Sequence, residues 1–561
     1  MEQALLARVR AWIDGDPNST DRDELTAALE RGDEALLEAR FAGRLSFGTA
    51  GLRGPIGAGP AAMNAAVIRQ TAHGLADVLL GSGADPARGV VVGFDARHRS
   101  REFADETAGA LRARGIAVHL WDRCTPTPST PFMLRRLGAL AGVQVTASHN
   151  PPQDNGFKVY WDHAAQIIPP VDGQIAAAIK VHAAGPASAL PILAADASGP
   201  ALNRLGHEEL AIYHRAVQAA TPAPSPATTP FTVVYTAMHG VGGDSIVELL
   251  GEAGVDLHCV EAQQQPDGSF PTVAFPNPEE DGAMDMALDL AGRVGADMVI
   301  ANDPDADRLA VALPDGEGYS LLNGNEIGLL LGDWCLEHSP EGPGLVAASV
   351  VSSEALGALA EAYGKSFAQA LTGFKWIMAE ARRAPETPFI FGYEEALGYC
   401  VGREVADKDG LSAALAFVHM GRTEKAAGSD LQQRLSGIYA RIGAFVSDQW
   451  VQRFAGLGAA DEMASAVQKV RSDAPERLGD LRLVKRADFE SGAPWDASLC
   501  ANMVALNYRS GDDGLRVLVR PSGTEPKVKT YFEYRSSEGV VEGRRRLAHA
   551  VDAWCAALET T

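Results

Sequence analysis

Cysteine is scarce and scattered. The six in 561 residues (Cys124, Cys259, Cys335, Cys400, Cys500 and Cys555) show no CxxC spacing. That gives no support to a zinc cluster or a disulfide framework and leaves reduced thiols as the expectation. Long apolar runs are missing too: no stretch approaches the roughly 18–20 residues that cross a bilayer. The opening segment, MEQALLARVRAWIDGDPNSTD, carries charge in every turn, so it does not read as a signal peptide, and a cytoplasmic protein is expected. Basic residues are in deficit, 49 Lys+Arg against 72 Asp+Glu, for a formal charge of −23. A chain of that sign offers no clustered basic face for nucleic acid or an anionic membrane. A small anionic substrate stays open, because exposed charges are screened over about 8 Å at physiological salt and a few inward cations can govern a site.

The hydrophobic content of 46% and charged content of 22% fit a folded globular chain. The length suggests several domains. Residues 21–40 read as two short helices. Short apolar runs rich in β-branched residues then recur, each followed by a polar loop and a helical pattern: GVVVGFDAR (89–97), AGVQVTASHNP (141–151), FTVVYTAMHG (231–240), DMVIANDPDADR (297–308) and PFIFGYEEALGY (388–399). Such alternation predicts α/β sheets with parallel strands, whose ligands lie beyond the strands' carboxyl ends. TPAPSPATTP (221–230) reads as an exposed connection. SDLQQRLSGIYARIGAF reads as helical, with a junction near 446. The last hundred or so residues differ: LRVLVRPSGTEPKVKTYFEYR alternates like antiparallel strands, so the C-terminal part is α+β.

Four segments carry pointed chemistry. Asp303-Pro-Asp305-Ala-Asp307-Arg308 places three carboxylates at alternate positions after an apolar strand, where they can converge on one hard cation. A calcium loop of the EF-hand kind is excluded, since its required Gly and Glu positions hold Arg308 and Pro314. Three protein oxygens leave coordination sites open, as magnesium in a phosphoryl-transfer site requires. In Thr146-Ala-Ser148-His149-Asn150-Pro151, Ser148 follows a strand and is placed to expose a nucleophile. A Ser-His hydrolase reading is weak, because neighbours in an extended segment point apart and no GxSxG elbow is present. Beside a three-carboxylate site, Ser148 becomes a candidate to accept and donate a phosphoryl group. Arg520-Pro-Ser522-Gly523-Thr524-Glu-Pro526 combines a guanidinium, two hydroxyls and a glycine turn that can wrap a phosphate; a plain hairpin turn is the alternative. Gly392-Tyr-Glu394-Glu395-Ala-Leu-Gly398 could bind sugar hydroxyls, with a capped helix start as the rival reading. Nucleotide motifs fail. Gly364-Lys365-Ser366 lacks the earlier P-loop glycine, where Leu359 stands, and Gly240-Val-Gly242 lacks its third glycine, where Ser245 stands.

Taken in order, GTAGLRG, TASHNPPQDNGFKVY, DPDADR, GYEEALGY and RPSGTEP resemble the signature set of the alpha-D-phosphohexomutase superfamily. The likeness is greatest to the bacterial phosphoglucomutase/phosphomannomutase branch similar to phosphoglucomutase-2. It runs from about residue 45 to 535, and the first forty residues carry no usable motif. The resemblance implies an α/β fold of four domains around a central cleft: three similar mixed α/β sheet domains plus a smaller C-terminal α+β domain. The boundaries expected are 1–205, with the N-terminal helices and the phosphoserine loop; 206–324, with the metal loop; 325–446, with the sugar loop; and 447–561, with the phosphate loop.

The same resemblance implies roles. Ser148 would be the phosphoserine, with Mg2+ held by Asp303, Asp305, Asp307 and a phosphoserine oxygen. Arg53 and Lys158 would lie beside the transferring group, with Arg308 helping to neutralise charge, Lys408 near the site and His149 orienting the phosphate. Lys158 is a candidate general base, its pKa expected to be lowered by burial and nearby cations. Glu394, with Thr372, Gly373 and Lys375 of TGFKW, would bind the sugar, and Arg520, Ser522, Gly523 and Thr524 the phosphate that is not reacting. Catalytic amounts of glucose 1,6-bisphosphate would prime the serine. The sugar loop departs from the family's Glu-x-Ser, reading Glu394-Glu395-Ala396. The resemblance implies a phosphoglucomutase that also takes mannose phosphates, and the departure in the sugar loop opens phosphopentomutase as the alternative. A phosphatase or a non-catalytic sugar-phosphate binder fits the motifs less well. No partner protein is implied.

Overall fold

The computed structural model describes residues 3–48, 51–223, 229–454, 458–491, 502–522 and 527–559. Two compact bodies divide the chain. One comprises Met1–Leu322 and Leu397–Ala426, the other Asn323–Ala396 and Ala427–Thr561.

The first body opens with three helices, Gln3–Gly15, Ser19–Arg31 and Glu34–Phe41. The last two are the pair expected from 21–40. Asn18 and Asp33 cap their N-termini, and Gly32 in the left-handed region ends the first of that pair. A mixed six-stranded sheet follows, in the order Leu52–Pro55, Asp154–Trp161, Ala141–Val145, Val90–Phe94, Val118–Trp121, Leu202–Leu205. Its central strands, such as Val90-Val91-Val92, are buried on both faces and run parallel. Asp154–Trp161 turns back antiparallel, which sets Lys158 opposite Gln144; Arg53, on the edge strand, lies opposite Gly156. The second sheet runs in the order Tyr319–Leu321, Ala310–Pro314, Met298–Ala301, Thr232–Thr236, Asp256–Cys259. The aspartate loop leaves the carboxyl end of its all-buried strand Met298–Ala301. The helix Gly410–Ala426, buried along Gly410–Arg422, completes this body.

In the second body, Leu345–Ser349 lies parallel between Ser366–Ala370 and Phe389–Glu394. The helical reading of 429–445 holds only as far as Ile442: Gly443, at φ 92, ends the helix, and the strand Ala444–Arg453 begins. That strand opens a six-stranded antiparallel sheet, the expected α+β end of the chain. Side chains alternate across it. Val504, Leu506, Tyr508, Val517 and Val519 pack with Val467, Val470 and Trp554 of two helices. Ala505, Leu518 and Tyr531 point the other way, onto Val350, Val351 and Leu371. The carboxylate of Glu533 accepts the Glu354 amide at 3.0 Å at the start of the helix Ala355–Ala362.

Of the expected exposed connection, residues 224–228 lie outside the described residues. No helix among the described residues is long and apolar enough to cross a membrane.

Candidate active site

The first body gathers Ser148, His149, Lys158, Arg308, Lys408 and the three aspartates into one buried cluster. Asp303, Asp305 and Asp307 are each fully buried. One carboxylate oxygen from each lies within 4.8 Å of the others. The loop that carries them is tightly fitted. Ala306 takes φ 58, and a Cβ on Gly240 would stand 2.5 Å from the Cα of Pro304, so only glycine admits this approach. The GVGG run that fails as a nucleotide motif is thus the bed on which the aspartate loop rests.

Cations surround the carboxylates. Lys158 Nζ donates to Asp305 Oδ2 at 2.7 Å and Asp307 Oδ2 at 2.9 Å. Lys408 Nζ stands 3.2 Å from Asp307 Oδ2, and the Arg308 Nε is 3.8 Å from Asp303 Oδ2. Burial and the two neighbouring charges push Asp303 well above the carboxylate range. Burial also opposes ionisation of Asp307, but Lys158, Lys408 and Arg308 outweigh it and hold that carboxyl far below its usual range. For Asp305, burial and Asp307 are outweighed by Lys158 and Thr127.

Lys158 corrects the expectation of a lowered pKa. Burial does lower it, but Asp305 and Asp307 reverse the sign, and the ammonium is stabilised as a cation. In this arrangement it is an ion-pair partner, and serving as a base would require its release.

The donor set suits a hard divalent cation. All three ligands are carboxylates, and Asp305 Oδ1 and Asp307 Oδ1 are buried oxygens with no hydrogen-bond donor. Thr127, which the motifs did not reveal, fixes this set: its hydroxyl donates to Asp305 Oδ2 at 2.6 Å and its amide to the Asp305 carbonyl at 2.8 Å.

Ser148 donates to Asp303 Oδ2 at 2.9 Å. His149 does not point away from Ser148 as an extended segment would place it, because Ser148 sits at φ 53. Its Oγ lies 3.2 Å from His149 Nδ1. Burial, then Arg308 and Arg53, keep His149 well below the usual histidine range, hence neutral near pH 7. Arg53, on the edge strand Leu52–Pro55, donates to Asn150 Oδ1 of the serine loop at 2.9 Å.

Arg97 is the principal residue that motif reading missed. Buried, it donates to the carbonyls of Ser148 (2.6 Å), Pro151 (2.8 Å) and Asp154 (3.1 Å), and also to that of Asn150. Asp95 lies 3.4 Å from its Nε. Its signal was a charged pair, Asp95-x-Arg97, closing an otherwise apolar run. Lys408 is presented in a similar way. Asp407 is held by the Tyr160 hydroxyl (2.9 Å) and Gln166 (2.8 Å), while Asp409 accepts from Tyr213 (2.8 Å) and from the Leu411 and Ser412 amides.

The remaining predicted residues belong to the second body. Glu394 ends the strand Phe389–Glu394 and a turn follows at 395–397, which removes the helix-start alternative. Its carboxylate accepts the Gly373 amide at 2.7 Å, so the Thr372-Gly373 turn and the sugar loop meet. Lys375 lies on the adjoining helix Phe374–Arg383. Glu395 turns elsewhere, 3.3 Å from the hydroxyls of both Ser349 and Ser352. Arg520 lies in the strand Asp513–Pro521, and the Ser522 amide donates to the Lys527 carbonyl at 2.8 Å. Gly523 and Thr524 lie outside the described residues.

Comparison with known proteins accounts for this layout. The alpha/beta/alpha domains I, II and III of phosphoglucomutase/phosphomannomutase match residues 44–184, 211–316 and 323–441, and the C-terminal domain of the same family matches 499–550. A "Probable phosphomannomutase" of Haemophilus influenzae is 39% identical, covering 85% of this chain and 94% of its own. A phosphopentomutase of Mus musculus is 34% identical over 96% of this chain and 92% of its own. A phosphoglucomutase of Staphylococcus epidermidis is 33% identical over 87% and 90%. Sites and matches together place the chain in the phosphoglucomutase/phosphomannomutase family of the alpha-D-phosphohexomutase superfamily, as a phosphosugar mutase.

Proposed function

We propose that the protein interconverts alpha-D-glucose 1-phosphate and glucose 6-phosphate, with mannose phosphates as further substrates, through a phosphoserine at Ser148. The observation that carries this reading is the hydroxyl of Ser148, 2.9 Å from a member of a buried three-carboxylate cluster. The phosphoglucomutase and phosphomannomutase relatives support hexose phosphates.

In the proposed cycle the phosphorus–Oγ bond of phosphoserine breaks as a bond forms to a free sugar hydroxyl, whose proton leaves to a base. The resulting sugar bisphosphate turns around, and its other phosphate returns to Ser148 Oγ while the sugar oxygen regains a proton. Phosphoryl transfer needs positioning and charge neutralisation above all. Asp303, Asp305 and Asp307 would hold Mg2+, which when bound supplies a Lewis acid for the phosphoryl oxygens. Arg53, Arg308 and Lys408 supply fixed positive charge, and Arg97 holds the serine backbone in register. Neutral His149, 3.2 Å from Ser148 Oγ, is placed to take or return a proton there, or to orient the phosphate. Lys158 remains the candidate base for the sugar hydroxyl once released from its carboxylates. Glu394, Thr372, Gly373 and Lys375 are read as sugar-binding, and Arg520, Ser522, Gly523 and Thr524 as the grip on the second phosphate. The four-part division at 205, 324 and 446 is kept as part of this reading, as are a cytoplasmic location and priming by glucose 1,6-bisphosphate.

A phosphopentomutase is the second reading. Ala396 stands where the hexose loop carries serine, and the mouse phosphopentomutase covers 96% of this chain. The deciding assay measures turnover of glucose 1-phosphate, mannose 1-phosphate and ribose 1-phosphate with Mg2+, with and without trace glucose 1,6-bisphosphate, beside Ser148→Ala. Hexose turnover that vanishes in the variant supports the first reading, and faster ribose turnover installs the second. Activity surviving in Ser148→Ala removes the phosphoserine from both.

A further inference from the structure

We propose that the N-terminal helices, which carry no catalytic motif, are a clamp that positions the serine loop through two separate pins. The proposal rests on the reading of Ser148 as the phosphate carrier. The helix Ser19–Arg31 bears Asp21 and Glu24, three residues apart and hence on one face. Each carboxylate reaches a different loop of the first body.

Asp21, whose side chain is only 1% exposed, makes a forked pair with Arg99 at 2.6 and 2.9 Å. From the same end, Asn18 donates to Glu102, which itself pairs with Arg99. Arg99 adopts φ 63 and stands two residues from Arg97, whose guanidinium holds the backbone carbonyls from Ser148 to Asp154. The first pin therefore fixes the turn that carries the serine loop's anchor.

Glu24 makes the second. Its Oε2 accepts the Ala58 amide at 3.0 Å, and its Oε1 pairs at 3.1 Å with Arg40, which donates on to the Ile56 carbonyl. Gly57 lets this happen: a Cβ there would meet the Arg40 guanidinium at 2.1 Å. The Ala58 methyl is buried in the helices' own core with Leu25, Ala28, Leu37 and Phe41. The turn so held continues from the strand Leu52–Pro55, whose Arg53 reaches Asn150. Both pins thus end on residues 148–150, one through Arg97 and one through Arg53. Asp21 and Glu24 touch none of the reacting groups and are positioning residues.

The test compares the full-length Asp21→Ala/Glu24→Ala protein, Glu24→Ala and Glu24→Gln with the parent. Hydrogen–deuterium exchange over residues 51–58 and 146–154 should rise several-fold in the double variant, with the sheet strands unchanged. Turnover should fall on the order of ten- to a hundredfold, as misplaced reacting groups produce, with KM moving far less than kcat. Glu24→Gln keeps an acceptor for the Ala58 amide and should retain most of the turnover that Glu24→Ala loses. Unchanged exchange at 146–154 in the double variant overturns the clamp. So does a loss that Glu24→Gln shares in full. If the double variant does not fold, the two Glu24 variants decide alone. If the parent turns over no sugar phosphate, the phosphoserine reading falls while exchange still decides the clamp.

Discussion

At the scale of single residues, the site depends on groups whose partners are remote in sequence. Thr127 and Asp305 stand 178 positions apart, yet one hydroxyl orients a candidate metal ligand. Thr127→Val keeps the shape and removes that bond. The apparent Mg2+ affinity, read by titrating activity with metal, should fall about 10–100-fold, with kcat at saturating metal changed far less. Arg97→Met leaves several buried carbonyls and Asp95 without their cation. It should cost about 3–5 kcal/mol, seen as a fall in thermal midpoint together with lost turnover. Ser148, at φ 53, holds a conformation that costs a side chain roughly 1–2 kcal/mol. Ser148→Gly should therefore melt no lower than Ser148→Ala, with both expected to be inactive under the proposed phosphoserine reading; a clearly lower midpoint for the glycine variant would remove strain from the account.

These residues also show what a sequence displays. The aspartates and Ser148 were legible because their chemistry is local, compressed into a few positions after an apolar strand. Thr127 and Arg97 were not, because a threonine in a TPTPST run and an arginine after a strand look alike with or without a distant partner. An extended backbone would turn His149 away from Ser148, and a positive φ at a serine leaves no trace in composition. Burial and nearby cations alone would lower Lys158, and the two carboxylates that reverse the sign stand 147 and 149 positions away.

At the scale of elements, pattern served well where polar loops or caps separate the elements and poorly where an apolar run crosses a boundary. The strand runs and the helices of residues 19–41 were readable from pattern and caps. The change from helix to strand at Gly443 was not, since AFV continues an apolar pattern. The helix Gly410–Ala426, buried as far as Arg422, shows a cost of burial. His419 on it is buried with an unpartnered Nδ1, and burial, aided by Arg422, pushes its pKa down to about 4. The unfolded chain, with histidine near 6.5, binds that proton first. This contribution to stability is full above about pH 6.5 and declines as pH falls toward 4, by up to about 3 kcal/mol. His419→Leu should flatten that part of the profile; parallel denaturation curves for parent and variant from pH 7.5 to 4.5 would show the effect to be absent.

At the scale of the molecule, the chain leaves the first body after Leu322, returns at Leu397 and leaves again after Ala426. Residues 323–396 therefore find their companions in the C-terminal part: Val350, Val351 and Leu371 pack on Ala505, Leu518 and Tyr531, and Arg516 donates to the Val350 carbonyl. A protein truncated after Ala426 should expose these groups and aggregate, whereas an independently folding C-terminal module would leave it soluble. Expression and sedimentation of the truncated chain distinguish the two.

The same interrupted path sets a timetable on the ribosome. The first body has all its residues once Ala426 has emerged, but the segment 323–396, already made, must wait for the antiparallel sheet that begins at Ala444. At roughly 5–20 residues per second that delay lasts from several seconds to tens of seconds. Throughout it a half-finished apolar layer is in water, and that interval is where aggregation of the nascent chain is expected.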